Sequence, residues 1–280
     1  MNVLSLFDGM SCGQIALNRA GIKYDKYYAS EIKENGIKVT QHNYPGTIQL
    51  GDVTKVNFRK YTPIDLLIGG SPCQDFSRAN KHRLGLSGDK SSLFYYYLKA
   101  LQIYKPKYFL LENVIMDRYG ADSISSELGV FPIRINSSLV SAQLRDRLYW
   151  TNIPGGDVID MFGRSIGKPK NKKIKLQDIL TSCYADREKS RCLLESDSRP
   201  LSTKSKMMHR YYKTGFTTIV FKDINDKENT CRYLNQTELE RCQTVPDGYT
   251  DILKRNGAAS LLGDGWTVDV IAHILKGIKG

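Results

Sequence analysis

Cys73 stands in the middle of GGSPCQDFS (69–77), directly after the apolar run IDLLI (64–68). Glycine, serine and proline mark a turn there, so the thiol belongs at the mouth of a short buried strand. A thiolate in that position is a nucleophile. A free thiol titrates near pH ~8.5, so it needs nearby positive charge or a helix terminus to ionise. Glu112 closes a second apolar run, KYFLLEN (107–113), and Arg145 and Arg147 lie two apart in SAQLRDRLYW (141–150). On an extended segment that spacing puts both guanidinium groups on one face. The bland counterparts are a buried thiol, a helix-capping glutamate and a surface arginine pair. Cys12, Cys183, Cys192, Cys231 and Cys242 are scattered. With no C-x-x-C pair and no zinc-finger spacing they read as reduced, buried thiols, and no metal is expected.

A second set of residues points to a nucleoside cofactor. The expected first strand, NVLSLF (2–7), runs into FDGMSCG (7–13), a glycine-containing turn opening a helix. Gly9 and Gly13 permit tight backbone, and a helix N-terminus offers N–H groups. The next two strands end at ASEI (29–32) and GDV (51–53), each followed by an acid, Glu31 and Asp52. Glu31 lies 23 residues after Asp8, and an acid about 20 residues beyond a Gly-rich turn typically holds ribose hydroxyls. The three-glycine dinucleotide fingerprint and a Walker lysine are both missing. Pyrophosphate is therefore disfavoured, and a nucleoside with a cationic or neutral tail fits better.

These groups need a frame to position them. Strand-like stretches at 2–7, 26–30, 47–50, 64–70 and 107–113 alternate with helix-like stretches at 13–21, 33–43 and 92–104. Leu93, Tyr96, Tyr97, Ala100, Leu101 and Tyr104 recur at helical spacing, and Gly21 is a natural helix C-cap. Such alternation predicts a parallel sheet covered on both faces. After PGG (154–156) the texture becomes polar and basic. Helix signals return near 232, where Asn235 or Thr237 is placed to cap with Glu238 and Glu240 in the first turn. Val270, Ile271, Ile274 and Leu275 form one face of a last helix expected to pack on the first domain. The predicted plan is a large α/β domain (1–155), a small insert (156–230) and a return segment (231–280) that completes the large domain.

The chain of 280 residues carries a net charge of +12, and residues 164–213 hold nine lysines and five arginines against five acids, +9 of that total. A basic block of this kind points to a polyanion, nucleic acid above all. No stretch is long and apolar enough to span a bilayer. The N-terminus shows no signal-peptide pattern, so an intracellular protein is expected.

Taken in order, the motifs resemble those of the DNA (cytosine-5)-methyltransferases. LFDGMSCG looks like the cofactor loop, SEI and GDV like the ribose and adenine contacts, SPCQ like the nucleophile motif and ENV (112–114) like the catalytic glutamate motif. SAQLRDRLYWTNIPG (141–155) resembles the Gln-x-Arg-x-Arg motif, and RCQTVPDGYTD (241–251) and GDGWTVDVIAHIL (263–275) look like the last two. Only the basic insert is uncovered, where that family keeps its variable target-recognition region. FDG, SEI, GGSPC and the C-terminal tryptophan motif are closest in flavour to the animal de novo branch. Cys12 stands where many members have glycine, Gln74-Asp75 follows the nucleophile where many have Gln-Pro or Gln-Gly, and Asp264 occupies a site often held by Asn or Arg. The RNA-modifying branch usually has Pro-Pro-Cys and a Cys-Phe-Thr segment. This chain has Ser71-Pro72-Cys73 and lacks that segment, which points away from tRNA.

The resemblance implies a Rossmann-like S-adenosylmethionine-dependent methyltransferase fold, mostly parallel, with a small basic target-recognition insert. It implies methyl transfer from S-adenosylmethionine to carbon 5 of a cytosine flipped out of duplex DNA, through a covalent Cys73 adduct, with Glu112, Arg145 and Arg147 as the other catalytic groups. Glu112 then hydrogen-bonds N3 and the exocyclic amine, and the arginines contact the base carbonyl, a phosphate or Glu112. On the cofactor, Phe7, Asp8, Gly9, Ser11, Cys12 and Gly13 supply the loop, Glu31 and Ile32 the ribose side, Asp52 and Val53 the adenine side. Ser71 and Pro72 lie alongside, and Trp266 and Thr267 close the methionine side. Gln74 and Ser77 are expected on DNA. In the insert Lys170, Lys172, Lys173 and Lys175 are expected on phosphates, and Arg187, Arg191, Arg199 and Arg210 on bases. Such a protein works in the cytoplasm on the nucleoid of a bacterium or on viral DNA, as a restriction companion, a protector of viral DNA or alone, as a monomer or weak dimer. The alternatives are a tRNA cytosine-5 methyltransferase and a non-catalytic DNA-binding relative. Intact Cys73, Glu112 and both arginines speak against the latter.

Overall fold

The structure, a computed structural model, describes residues 1–61, 63–72, 92–155, 158–160 and 163–278. Cys73, Gln74 and Ser77 lie outside the described residues. The chain divides into two compact units. The first comprises residues 1–135, 146–168 and 272–280, and the second 136–145 and 169–271. This division differs from the expected boundaries: residues 231–271 belong with the second unit, and only 272–280 return to the first. A buried knot of polar side chains in the second unit, described below, gives the physical reason.

The first unit has a Rossmann-like methyltransferase fold. In chain order it runs β1 (Asn2–Leu6), α1 (Cys12–Ala20), β2 (Lys26–Ser30), α2 (Glu34–Asn43), β3 (Ile48–Gln49), β4 (Leu66–Gly70), α3 (Ser92–Tyr104), β5 (Tyr108–Val114), α4 (Arg118–Leu128), β6 (Ile133–Asn136) and β7 (Asp146–Thr151). Two 3-10 turns, Val53–Lys55 and Phe58–Lys60, separate β3 from β4. The strand order is β3-β2-β1-β4-β5-β7-β6. The pairs β1–β2, β1–β4, β2–β3 and β4–β5 are parallel. The expected parallel sheet is completed by an antiparallel strand, because β7 runs against β5. Val3, Leu4, Leu6, Leu66, Leu67, Ile68, Leu110 and Leu111 are fully buried, as the near-continuous apolar runs of a sheet covered on both faces require. One core cluster joins Leu4, Leu6, Leu67 and Leu111 to Phe94, Tyr97 and Leu98 of α3 and to Ile124 of α4. A short hairpin, β8 (Val158–Asp160) with β9 (Gly163–Ser165), follows.

Order reverses between β1 and β4, so the switch point opens beside the carboxyl end of β1, where ligands bind in open α/β sheets. Three strand ends are tied together there. The Asp8 amide donates to the Ser30 carbonyl at 3.1 Å, and the Ser30 hydroxyl donates to the Gly51 carbonyl at 2.7 Å. α2 comes down on this loop through Gly36, where a Cβ would stand 2.5 Å from the Gly9 carbonyl oxygen.

The second unit is built from short pieces. They are α5 (Leu176–Ile179), α6 (Lys204–His209), β10 (Ile219–Phe221), α7 (Lys227–Thr230), β11 (Cys231–Tyr233), α8 (Gln236–Cys242), α9 (Arg255–Asp264) and α10 (Val268–Leu275), whose last turn lies in the first unit. Asn235 caps α8 in a capping box with Glu238. β10 pairs antiparallel with β11 over a small core of Met207, Tyr211, Ile219, Phe221 and Cys231.

Replacing Gly36 by alanine presses a methyl group onto backbone, which cannot swing aside as a side-chain tip can. Gly36→Ala is expected to cost about 1–3 kcal/mol in denaturant unfolding, whereas Gly46→Ala, with open space around its Cβ, is expected to stay within about 0.5 kcal/mol of the parent.

Candidate active site

Glu112 lies in β5 at the carboxyl end of the parallel strands, where Gly70 of β4 is its register partner. Its neighbour Asn113 is buried and donates from Nδ2 to the Ser71 hydroxyl at 3.1 Å. The chain that leads through Ser71 and Pro72 to Cys73 is therefore fastened to the strand that carries Glu112. In β7, Arg147 pairs with Val114 and Tyr149 with Glu112. Parity puts Glu112 and Arg147 diagonally on one face of the sheet, and Arg147 Nε stands 3.0 Å from Glu112 Oε1. Both side chains are nearly buried, Arg147 at 13% and Glu112 at 11% exposure. Arg147 Nη1 also donates to the Asp146 carbonyl at 2.8 Å.

Arg145 does not join them. It belongs to the second unit, where it is 4% exposed. Its Nη1 donates to the carbonyls of Leu193 at 3.0 Å and Gly263 at 3.2 Å, and its Nη2 to that of Gly265 at 2.9 Å. The expectation of two arginines on one face toward the substrate is corrected. Arg145 precedes β7 and is a structural clamp, because both its terminal nitrogens donate to backbone acceptors.

Beside it lies the knot that holds the second unit together. Gln143 Nε2 donates to the Cys242 carbonyl at 2.7 Å and to Gln243 Oε1 at 2.8 Å. Gln243 Nε2 donates to the Leu262 and Gly265 carbonyls, and the Thr267 hydroxyl to Gln243 Oε1 at 2.9 Å. Gln143 and Gln243 are wholly buried. This network ties residues 136–145 to 242–267 and explains why the C-terminal motifs group with the second unit. Trp266 and Thr267, expected on the cofactor, lie in that unit, with Thr267 engaged in the knot.

At the loop after β1, Glu31 is the organising side chain. Its Oε2 accepts the Gly9 amide at 2.7 Å, and its Oε1 accepts the Ile32 and Lys33 amides at 2.7 and 2.8 Å. A carboxylate has about four acceptor positions, so Glu31 retains capacity for one more donor. Ile32 beside it is 72% exposed, an apolar surface without cover among the described residues. Asp52 caps the turn at Val53, with Oδ1 accepting the Thr54 amide at 2.9 Å and hydroxyl at 2.8 Å. Those bonds hold its pKa below the ordinary carboxylate value, so it presents an ionised acceptor. The Val53 side chain is buried.

Asp8, Ser11, Cys12 and Gly13 depart from the expected set. The Asp8 carboxyl turns inward to accept from the Tyr27 hydroxyl at 2.7 Å and from the Ser11 hydroxyl. Burial pushes its pKa up. Phe7 and Ser11 take left-handed backbone, φ 60° and 61°, which produces this inward turn. Ser11 and Cys12 are buried, and Gly13 has no room for a Cβ against Ile68 and the Tyr27 hydroxyl. The Asp8, Ser11 and Cys12 side chains are turned into the protein and hold the loop in shape. Phe7 packs partly buried against the sheet's core.

Lys170, Lys172, Lys173 and Lys175 are exposed, as expected of residues that meet phosphates. Lys172 is drawn to Asp269 at 2.6 Å, and Lys175 lies 3.8 Å from Glu188. The expected base-reading arginines fare differently. Arg187 Nε donates to the Tyr211 hydroxyl at 2.5 Å and its guanidinium lies over that ring at 4.4 Å. Arg191 donates to the Tyr211 carbonyl at 2.8 Å. Both are corrected to structural roles around a buried tyrosine. Arg210 holds the Ser196 hydroxyl at 3.0 Å and Arg199 pairs with Glu195 at 3.0 Å, though Arg199 remains 68% exposed. Sequence reasoning passed over Tyr184, Tyr212 and Phe216, each about half exposed. Large aromatics inside a basic, weakly periodic stretch were the available signal.

The chain is similar to known methyltransferases in both sequence and fold. Residues 1–116 match the family described as C-5 cytosine-specific DNA methylase. An orphan methyltransferase of Bacillus phage SPR is 39% identical over 116 residues, 41% of this chain and 26% of that protein. The matched segment thus spans about a quarter of that relative's length. A type II methyltransferase of Lactococcus lactis subsp. cremoris is 26% identical over 98% of this chain and 77% of its own. Among solved structures, the Dnmt2 methyltransferase of S. pombe superposes with a TM-score of 0.73 at 17% identity, covering 99% of this chain and 97% of that one. A methyltransferase of Entamoeba histolytica gives 0.70 at 16% identity, covering 99% and 97%.

Replacing the Arg145 clamp leaves buried carbonyl acceptors without donors. Arg145→Lys, which offers a single point charge in place of a planar fork, is expected to lower unfolding free energy by about 2–4 kcal/mol, read by urea titration. Unchanged stability would return Arg145 to the substrate-facing groups.

Proposed function

We infer that this chain, a member of the S-adenosylmethionine-dependent C5-cytosine methyltransferase superfamily, methylates carbon 5 of cytosine in a polynucleotide. The observation that carries this reading is the pairing of Glu112 with Arg147 at 3.0 Å, on the strand fastened to the Ser71-Pro72 segment that precedes Cys73. Carbon 5 of cytosine is a weak nucleophile. Addition of the Cys73 thiolate at carbon 6 makes it an enamine, and Glu112 assists by holding the ring's N3 and exocyclic amine while charge develops there. Arg147 keeps the Glu112 carboxyl in one orientation. After transfer, loss of the carbon 5 proton and expulsion of the thiolate restore the aromatic ring.

The residues at the ends of β2 and β3 fit S-adenosylmethionine. Glu31 has a remaining acceptor position for ribose hydroxyls, Ile32 offers an apolar face for adenine, and ionised Asp52 accepts from its amine. This cofactor supplies an electrophilic methyl group. Phe7, Gly9, Val53, Ser71 and Pro72 are assigned to the same site, and the de novo flavour of its motifs rests on the sequence alone.

Two polynucleotides suit this chemistry. Duplex DNA is supported by the family description over residues 1–116. RNA is supported by the second unit, where Arg187 and Arg191 turn toward Tyr211 while Tyr184, Tyr212 and Phe216 stand exposed. Major-groove reading relies on outward arginines, whereas RNA reading relies on stacking of unpaired bases on aromatics.

Fluorine at carbon 5 blocks the final proton loss, so the thiol adduct persists. Incubation with 5-fluorocytosine DNA and S-adenosylmethionine is expected to give a denaturation-resistant complex mapping to Cys73 and lost in Cys73→Ala. A complex formed only on 5-fluorocytosine RNA would assign the RNA substrate. An adduct at Cys183, Cys192, Cys231 or Cys242, or none on either polymer, would overturn the mechanism.

A further inference from the structure

The basic block of residues 164–213 is matched by a second concentration of positive charge in the first unit. Residues 53–64 and 92–111 contain Lys55, Arg59, Lys60, Lys99, Lys105 and Lys107 and no Asp or Glu at all. All six are exposed. The two stretches form one surface, because α3 packs against both 3-10 turns, with Phe58 meeting Tyr104 edge-on at 6.1 Å between ring centres. Some exposed lysines elsewhere take carboxylate partners, as Lys38 does with Glu34 and Lys172 with Asp269. Among the described residues none of these six has an ion-pair partner.

Three of the cations lie beside aromatic rings. The Lys60 ammonium lies 5.6 Å from the Tyr61 ring centre, Lys99 5.9 Å from Tyr96, and Lys107 5.1 Å from Tyr108. Contact with a ring face is weakly favourable at an exposed site and narrows the range of positions each ammonium takes. Lys105 directly follows α3, where a cation offsets the helix dipole, but that explains one residue of six. A surface with an excess of positive charge raises local anion concentration.

The surface is not part of the reaction centre. Lys107 precedes the first residue of β5 and Glu112 is five residues further on, about 16 Å along a strand. Arg59, Lys60, Lys105 and Lys107 therefore gather toward the amino end of β4 and β5, and Glu112 sits at the carboxyl end.

We propose that this surface is a second, sequence-independent docking site for the phosphate backbone of duplex DNA, engaging a segment of the polymer away from the cytosine being methylated. It goes beyond the methyl-transfer reading and does not need it. Lysine and arginine spaced over one face suit phosphate binding that gives affinity and no sequence preference.

The test compares the parent with Arg59→Gln/Lys60→Gln/Lys99→Gln/Lys105→Gln/Lys107→Gln, leaving Lys55 intact because it borders Asp52. Binding is read without methyl donor, so an inactive enzyme leaves the test valid. On a duplex of about 100 base pairs, affinity near 0.15 M salt is expected to fall at least about tenfold, with the log–log salt slope shallower by about 0.9 for each phosphate the variant no longer neutralises. On a duplex of about 14 base pairs, binding is expected to match the parent. A variant with Lys60→Arg, Lys99→Arg and Lys107→Arg is expected to bind long DNA like the parent, which separates removal of charge from failure to fold. Unchanged binding and salt slope on long DNA would overturn the proposal. So would equal losses on both lengths, or losses confined to duplex RNA or to phosphatidylserine vesicles.

Discussion

Glu112 and Arg147 meet because β7 runs antiparallel to β5 with Arg147 opposite Val114. A slip of one residue would send every side chain of β7 to the other face. The register is held by what lies on that other face: Leu148 and Trp150 are buried with Leu111 in the main core, and the Trp150 indole donates to the Ser125 hydroxyl of α4 at 2.9 Å. The hydrophobic core thus fixes the position of a nearly buried ion pair. Such a pair is a poor source of stability, but removing one partner leaves a charge out of water and costs about 3–5 kcal/mol. Its value is orientational, since a carboxyl held from one side presents its free edge in a single direction.

The same logic recurs at the loop after β1. Glu31 accepts three backbone amides from two separate segments, so one side chain sets both the loop after β1 and the entry to α2. Asp8 works from beneath, its carboxyl folded into the protein by the left-handed turn at Phe7. Two acids that look alike in sequence have opposite duties because backbone conformation aims one outward and the other inward.

Much of this frame was legible in the sequence, and for physical reasons. α3 spans Ser92–Tyr104 as its helical spacing requires, and β2 spans Lys26–Ser30. Gly21 takes left-handed φ 72° to end α1, and Asn235 caps α8. These features follow from local periodicity and from residues with one favoured conformation. The inward turn of Asp8 was hidden because nothing local signals a left-handed phenylalanine. The reversal of β7 was hidden because strand direction is decided by pairing partners. Arg145 was misread because a guanidinium satisfied by Leu193, Gly263 and Gly265 depends on partners more than forty residues away in the chain. The division at residue 271 depended on Gln143 and Gln243 meeting in the same way.

The central claim is that Glu112 and Arg147 act as one unit on the target base. A double-substitution cycle of Glu112→Gln and Arg147→Gln, read by single-turnover methyl transfer to a cytosine-containing polynucleotide, tests it directly. The account predicts that each single change slows transfer by about 10²–10³-fold and that the double variant is scarcely worse than the slower single, a coupling of about 2 kcal/mol or more. Losses that multiply, with coupling near zero, would mean that the two groups act independently and would contradict the account.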